Sequence, residues 1–248
     1  MKYPQSKLVY LESSLLFLVL LFLPTQLGRH FWPQFSLVYS LPVDYLSPTL
    51  YFWDLLLVGL LVSFLPRKSK VNHVCLNLLL VFLLTQFLSL IYAQNIGAAL
   101  VKLEQLLITG LFGVYLASQK LNWLKPRLKT PLLIGLFFEI FLAITQFLKG
   151  GSLWFWILGE RTFNLSTPAI AKFNFLGLDS LRPYGTFSHP NILAAFLVII
   201  SPLLFFLLKN RSWQVILLAL GGLSLILTSS RTAILVGIID FGYLFQDR

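Results

Sequence analysis

Charge is what this sequence has least of. Only 11% of its 248 residues are Asp, Glu, Lys or Arg, against about 25% in an average soluble domain. A soluble fold must cover an exterior that faces water, so the soluble globular class is excluded. Cysteine is nearly absent: Cys75 stands alone, which excludes an internal disulfide and a disulfide scaffold. Fifteen Gly and 12 Pro fit neither a collagenous nor a disordered chain. The three histidines, His30, His73 and His189, show no metal-ligand spacing, and His73-Val74-Cys75 is too small a group for a zinc site. No metal and no cofactor is expected. No fixed-period repeat or low-complexity tract occurs.

What is present is apolar length. Hydrophobic residues make up 57% of the chain and the mean hydropathy is +0.82. The apolar stretches are unbroken runs, not the ten-residue alternation of a membrane barrel. The fold class that remains is all-α: a polytopic helical membrane protein, one membrane domain over residues 1–248. The net charge of +10 does not indicate nucleic acid. Its basic residues sit in short clusters between apolar runs, as in a protein that fixes its orientation in a bilayer.

A helix needs about 20 apolar residues to cross the hydrocarbon core. Eight stretches qualify, near 8–27, 49–65, 74–93, 97–118, 131–148, 190–208, 213–229 and 231–246. The first is followed by Pro24-Thr25-Gln26-Leu27-Gly28-Arg29, without a small-residue cleavage pattern, and is read as retained. Residues 213–246 form a 34-residue run of almost no charge, about 51 Å as one helix and too long for a single crossing. The tetrad Thr228-Ser229-Ser230-Arg231 at its middle predicts a tight hairpin, with Ser229 or Ser230 capping the last helix.

Orientation follows from Lys and Arg. With the N-terminus in the cytoplasm, the inside holds Lys2, Lys7, Arg67, Lys68, Lys70, Lys120, Lys125, Arg127, Lys129, Lys209, Arg211 and Arg248. The outside holds Arg29, Lys149, Arg161, Lys172, Arg182 and Arg231, four of them in one long loop. Both termini are expected inside. Two outer segments stand out. Residues 28–48 are rich in aromatic residues and proline (Phe31, Trp32, Pro33, Phe35, Tyr39, Tyr45), which suits the headgroup level. Residues 149–189 form a long external loop without evident secondary structure. Its aromatic content, with Trp154, Trp156, Phe163 and Phe187, predicts an ordered segment lying on the membrane and partly re-entering it.

The most informative residues are Arg182-Pro183-Tyr184-Gly185-Thr186-Phe187-Ser188-His189-Pro190-Asn191. Pro190 suits the first turn of the sixth helix, which makes Ser188 or His189 its N-cap. The free N–H groups and the positive dipole end there can receive an anion, and an Arg beside them suits phosphate. The plain alternative is that Arg182 snorkels to headgroups and Ser-His-Pro-Asn is only a cap. Arg231, at the outer end of the seventh and eighth spans, has no acid beside it in sequence. Topology returns it to the face that carries Arg182, so the two arginines and a helix N-terminus suggest a pyrophosphate. Of the intramembrane charges (Asp54, Lys102, Glu104, Glu139, Asp240), Glu139 shares one helix face with Gln146, seven residues on. The two either make hydrogen bonds to other helices that fix packing or form the polar wall of a substrate cavity.

Arg182-Pro-Tyr-Gly-Thr-Phe-Ser-His-Pro-Asn191, an apolar helix, then Thr228-Ser-Ser-Arg-Thr-Ala233 opening another, resembles the O-antigen ligase and polymerase family. Glu139, Gln146 and Gly159-Glu160-Arg161 fit as well, and the likeness covers roughly residues 130–246. The resemblance implies a glycosyltransferase on the outer face of the cytoplasmic (inner) membrane, acting on a glycan linked to undecaprenyl pyrophosphate. Its partners would be this lipid-linked oligosaccharide donor and membrane lipids, with no nucleotide sugar and no required metal. The sequence has no Asp-x-Asp pair. Arg182 and Arg231, with His189, Asn191 and Ser188, would bind the pyrophosphate; Glu160, Arg161, Tyr184 and Glu139 would support them. The family carries a second external loop with an essential His and further spans after the Ser-Arg hairpin. The chain is therefore read as the N-terminal part of such an enzyme, with a C-terminal half missing and the catalytic residue unassigned. His189, in the cap, is not carried over as that His. A small transporter or flippase component for an anionic or lipid-linked substrate is the alternative; it would place charges and broken helices along a path near the midplane. A structural membrane subunit is a third.

Overall fold

A computed structural model describes residues 3–65, 71–175 and 177–246. Lys2, Arg67, Lys68, Lys70 and Arg248, used above for orientation, lie outside the described residues. The chain is mostly helical. The eight α-helices among the described residues are α1 (Tyr3–Leu21), α2 (Phe52–Phe64), α3 (His73–Ser89), α4 (Ile96–Ala117), α5 (Leu121–Lys149), α6 (Pro190–Leu207), α7 (Arg211–Leu227) and α8 (Arg231–Gln246). Four are long and apolar enough to cross a membrane: α3 with the 3₁₀ turn that follows it to Tyr92, α4, α5 and α6. Val9–Leu21, α2 and α7 are apolar but shorter. At 1.5 Å per residue, a 13-residue helix such as α2 reaches only about 20 Å. The end of α1 is fixed by Pro24, which disfavours helix at the residue before it; a turn in which Thr25 N–H donates to the Phe22 carbonyl follows.

Two expectations are corrected. The fifth helix begins at Leu121, ten residues before the predicted 131, and runs through Pro126 and Pro131. Lys125, Arg127 and Lys129 are therefore helical, not on a connecting loop. The segment 149–189, read as lacking secondary structure, holds an antiparallel hairpin of β5 (Lys172–Phe175) and β6 (Leu178–Leu181), with Lys172 opposite Leu181. Residues 28–48 likewise contain short strands: β1 (Gly28–His30) pairs with β4 (Thr49–Tyr51), and β2 (Leu37–Val38) with β3 (Leu41–Pro42). Each of these sheets has two strands and meets no third.

The chain divides into two compact units, Met1–Val19 with Gly28–Arg127, and Leu20–Leu27 with Leu128–Arg248. In the first, α4 packs against α2 and α3. Asp54 is not an interhelical charge: its carboxylate accepts the Tyr51 N–H at 2.9 Å and caps the start of α2. Asn72 and Asn95 cap α3 and α4 through Cys75 N and Ala98 N. Glu12, fully buried, accepts the Tyr115 hydroxyl at 2.9 Å. Arg127 donates to Ser13 Oγ and stacks 4.2 Å over the Trp123 ring.

In the second unit α6 packs against α7 and α8. Ser201, Gly221 and Ser224 are buried, and a Cβ on Gly221 would stand 3.3 Å from Ser201 Oγ. Small residues of this kind let helix backbones approach in a low-polarity medium. Gln214 Nε2 donates to the Phe205 and Leu208 carbonyls, which lack helical partners at the end of α6. Residues 228–230 form the tight turn between α7 and α8, with Ser229 in the left-handed region at φ 51°.

Candidate functional site

The segment 149–189 in the second unit is folded around its own small core of Phe163, Leu181 and Tyr184. Ser152 and Phe163 exchange hydrogen bonds through backbone and hydroxyl, and Arg182 N–H donates to the Ala171 carbonyl. The Tyr184 hydroxyl accepts the Ala171 N–H at 2.8 Å, so Tyr184 braces the loop from inside.

Two polar residues of α5 fix residues 184–186. Gln146, fully buried, uses its whole amide. Its Oε1 accepts Tyr184 N and Gly185 N, both at 2.9 Å, and its Nε2 donates to Gly185 O and to Glu160 Oε1. Only one orientation of the amide satisfies two N–H donors and two acceptors. Glu160, 4% exposed, also accepts Leu153 N and Phe155 N at 2.7 Å each. It fastens the start of the long loop to α5. Arg161 beside it is exposed. Glu139, at the same face one heptad earlier, accepts the Thr186 N–H at 3.0 Å, and its other oxygen lies 2.7 Å from the Thr186 hydroxyl. A half-open cavity of about 240 Å³ adjoins this contact, lined by Leu21, Phe22, Pro24, Phe138, Glu139 and Thr186 among others. Glu139 thus bonds the loop through Thr186, where an interhelical bond was one expectation, and it stands at one wall of a cavity.

Gly185 is required twice. Its φ is +60°, and a Cβ there would collide with the Glu139 carboxylate. Left-handed backbone costs an L-residue about 1–2 kcal/mol, and overpacking adds about 1–3 kcal/mol. Gly185→Ala is expected to destabilise the protein by about 2–5 kcal/mol on these terms, seen as a lowered Tm in detergent. An unchanged Tm would show that the loop is not held this tightly.

The cap of α6 falls to His189, not Ser188. His189 has extended backbone and its Nδ1 accepts the Asn191 N–H at 3.1 Å. Arg182 spans two elements. Its Nε donates to the Thr228 carbonyl at 2.6 Å and its Nη2 to Asn191 Oδ1 at 2.6 Å. Thr228 is the C-cap of α7, where an unpaired carbonyl and the negative dipole end favour a cation. Thus Arg182 ties the first turn of α6 to the α7–α8 turn. These bonds engage two of the five guanidinium N–H groups. Arg231 opens α8 three residues after Thr228 and is exposed. Ser188 is partly exposed between the loop and the cap.

Partial burial, with a smaller opposing contribution from Tyr184, pulls Arg182 below the usual guanidinium range; it still stays charged at neutral pH. Partial burial, and after it the Arg182 charge, hold His189 below its ordinary value. A neutral ring is what an accepting Nδ1 requires. Because the folded value lies below the unfolded one, near 6.5, the stabilisation is present above about pH 6.5 and is lost as pH falls through the folded value. An NMR titration of His189 is expected to give a midpoint under 6.5, with the Asn191 amide losing protection in step. A midpoint at or above 6.5 would remove this description of the cap.

Thr186 and Thr228 are not among the site residues expected from sequence, whereas Gln146 is noted there beside Glu139. A buried Gln seven residues from a Glu in an apolar helix is the signal that was available for Gln146. Among the described residues no group of three or more His, Cys, Asp and Glu lies together. Compared with protein-family models, with curated proteins and with solved structures, the chain gives no match.

Proposed function

We propose that the chain is an O-antigen ligase-like membrane protein. It takes part in transfer or polymerisation of undecaprenyl-pyrophosphate-linked glycans on the outer face of the cytoplasmic membrane. All eight helices span or enter that membrane, and both termini are cytoplasmic. One observation carries the reading: Arg182 bonds both Asn191 at the start of α6 and Thr228 in the turn that leads to Arg231. This supports a single anion site made of a guanidinium, a helix N-terminus and a second arginine close in sequence to the contact. In that role an acceptor hydroxyl oxygen bonds to the sugar anomeric carbon and gives up its proton to a base, while the bond from that carbon to the phosphate oxygen breaks and the oxygen leaves with the electron pair. Arg182, through N–H groups not committed to Asn191 and Thr228, and Arg231 stabilise the charge that develops on the pyrophosphate. The ligating base is unassigned.

The candidate residues must then face outward. A reporter fused near Ser166 is expected to report an external position, and one fused after Arg248 a cytoplasmic one. A cytoplasmic Ser166 fusion would put the site in the wrong compartment and end the transferase reading.

A further inference from the structure

Thr186 Oγ1 has two close oxygen neighbours, the Pro24 carbonyl at 2.7 Å and Glu139 Oε1 at 2.7 Å. A hydroxyl carries one proton, and a carbonyl carries none. If Thr186 donates to Glu139, the Pro24 carbonyl faces a hydroxyl oxygen at hydrogen-bond distance with no proton between them. All of Thr186 is buried, 1% exposed, so water does not resolve that conflict. One assignment gives each of the two contacts a proton of its own. Thr186 donates to Pro24 O, and a proton on Glu139 Oε1 donates to Thr186 Oγ1. Glu139 Oε2 then accepts the Thr186 N–H at 3.0 Å, the ordinary role of the carbonyl oxygen of a neutral acid.

Glu160 makes the contrast. It accepts three N–H donors, from Gln146, Leu153 and Phe155, and none of its hydrogen bonds requires a proton of its own. Thr186 is the hydrogen-bond partner of Glu139, and the neutral Gln146 amide that of Glu160.

The geometry points to Glu139 as a positioning residue that works as a neutral carboxylic acid, donating its proton through Thr186 to the turn at Pro24. The relay Glu139–Thr186–Pro24 ties α5, the loop that carries Arg182 and the turn after α1 into one chain of hydrogen bonds. This assignment does not depend on the transferase reading. It holds whatever anion, if any, Arg182 receives.

The test is infrared spectroscopy of the purified chain in detergent at pH 7, joined to hydrogen exchange at the Thr186 amide. The wild-type protein is expected to show the carbonyl stretch of a protonated carboxyl group, absent from Glu139→Gln. The Gln amide supplies the same donor and acceptor, so Thr186 exchange in that variant should rise less than about threefold, whereas Glu139→Ala should raise it about tenfold, as for one lost hydrogen bond. Thr186→Val leaves Glu139 in place but removes its acceptor, and should shift the band. This variant decides the matter even if the Glu139 variants do not fold. No protonated-carboxyl band at pH 7, a band unmoved by Thr186→Val, or Glu139→Gln exchanging as fast as Glu139→Ala would each overturn the assignment.

Discussion

Arg182→Ala is expected to abolish anion binding at this site and to loosen the α6–α7 connection at once. The guanidinium makes charge-assisted bonds to Thr228 O and Asn191 Oδ1, each 2.6 Å long. Bonds to a charged group contribute about 1.5–3 kcal/mol each, discounted here because Arg182 is only partly buried. A loss of about 3 kcal/mol in held geometry corresponds to a factor of more than about a hundred in affinity for pyrophosphate. Arg182→Lys is expected to fail as well. A lysine keeps the charge, but its single ammonium nitrogen does not reproduce the planar fork whose separate Nε and Nη2 reach the carbonyl and the amide oxygen. Full binding in Arg182→Lys would show that charge alone suffices. Unchanged binding in Arg182→Ala would show that the residue only caps α7.

The second large effect is at Gln146. Replacement by leucine removes four hydrogen bonds and strands Tyr184 N, Gly185 N and Gly185 O in a buried setting. Each stranded group costs about 1–3 kcal/mol, so Gln146→Leu should destabilise the chain by about 3–9 kcal/mol in sum. That is a large part of the about 5–15 kcal/mol that keeps a typical protein folded. The variant should accumulate poorly in membranes and melt early in detergent. Thr145→Ala, one residue back, is the control: its hydroxyl bonds only to carbonyls of its own helix. Equal melting of the two variants would contradict the network.

Much of the helical frame was legible, because it rests on local rules. Pro190 at the first turn, with Ser188-His189 before it, identified the start of α6. The polar tetrad at 228–231 identified the break between α7 and α8, since no single helix of that length fits a bilayer. The early start of α5 was not legible. Pro126 and Pro131 argue locally against helix, and only packing overrides them. The hairpin at 172–181 was weak in sequence, since Lys172-Phe173-Asn174-Phe175 is too short to stand apart from an aromatic loop. At the site, arginines and caps were legible as residue types. The support was not, because Gln146 and Glu160 act on backbone N–H and C=O groups, which every residue carries. Glu160 drew notice as a partner for an arginine, yet it holds Leu153 N, Phe155 N and Gln146. Gly185 could be read as a turn residue; the approach of Glu139 that forbids a side chain there depends on tertiary structure.

The central claim is that Arg182 and Arg231 receive the pyrophosphate of a polyprenyl-linked substrate. The direct measurement is binding of undecaprenyl pyrophosphate to the purified full chain in nanodiscs, with inorganic pyrophosphate as competitor. The account predicts saturable binding that pyrophosphate displaces, that weakens in Arg231→Ala and that is lost in Arg182→Ala. Binding that is indifferent to both arginines, or no binding by the folded wild-type chain, would contradict it.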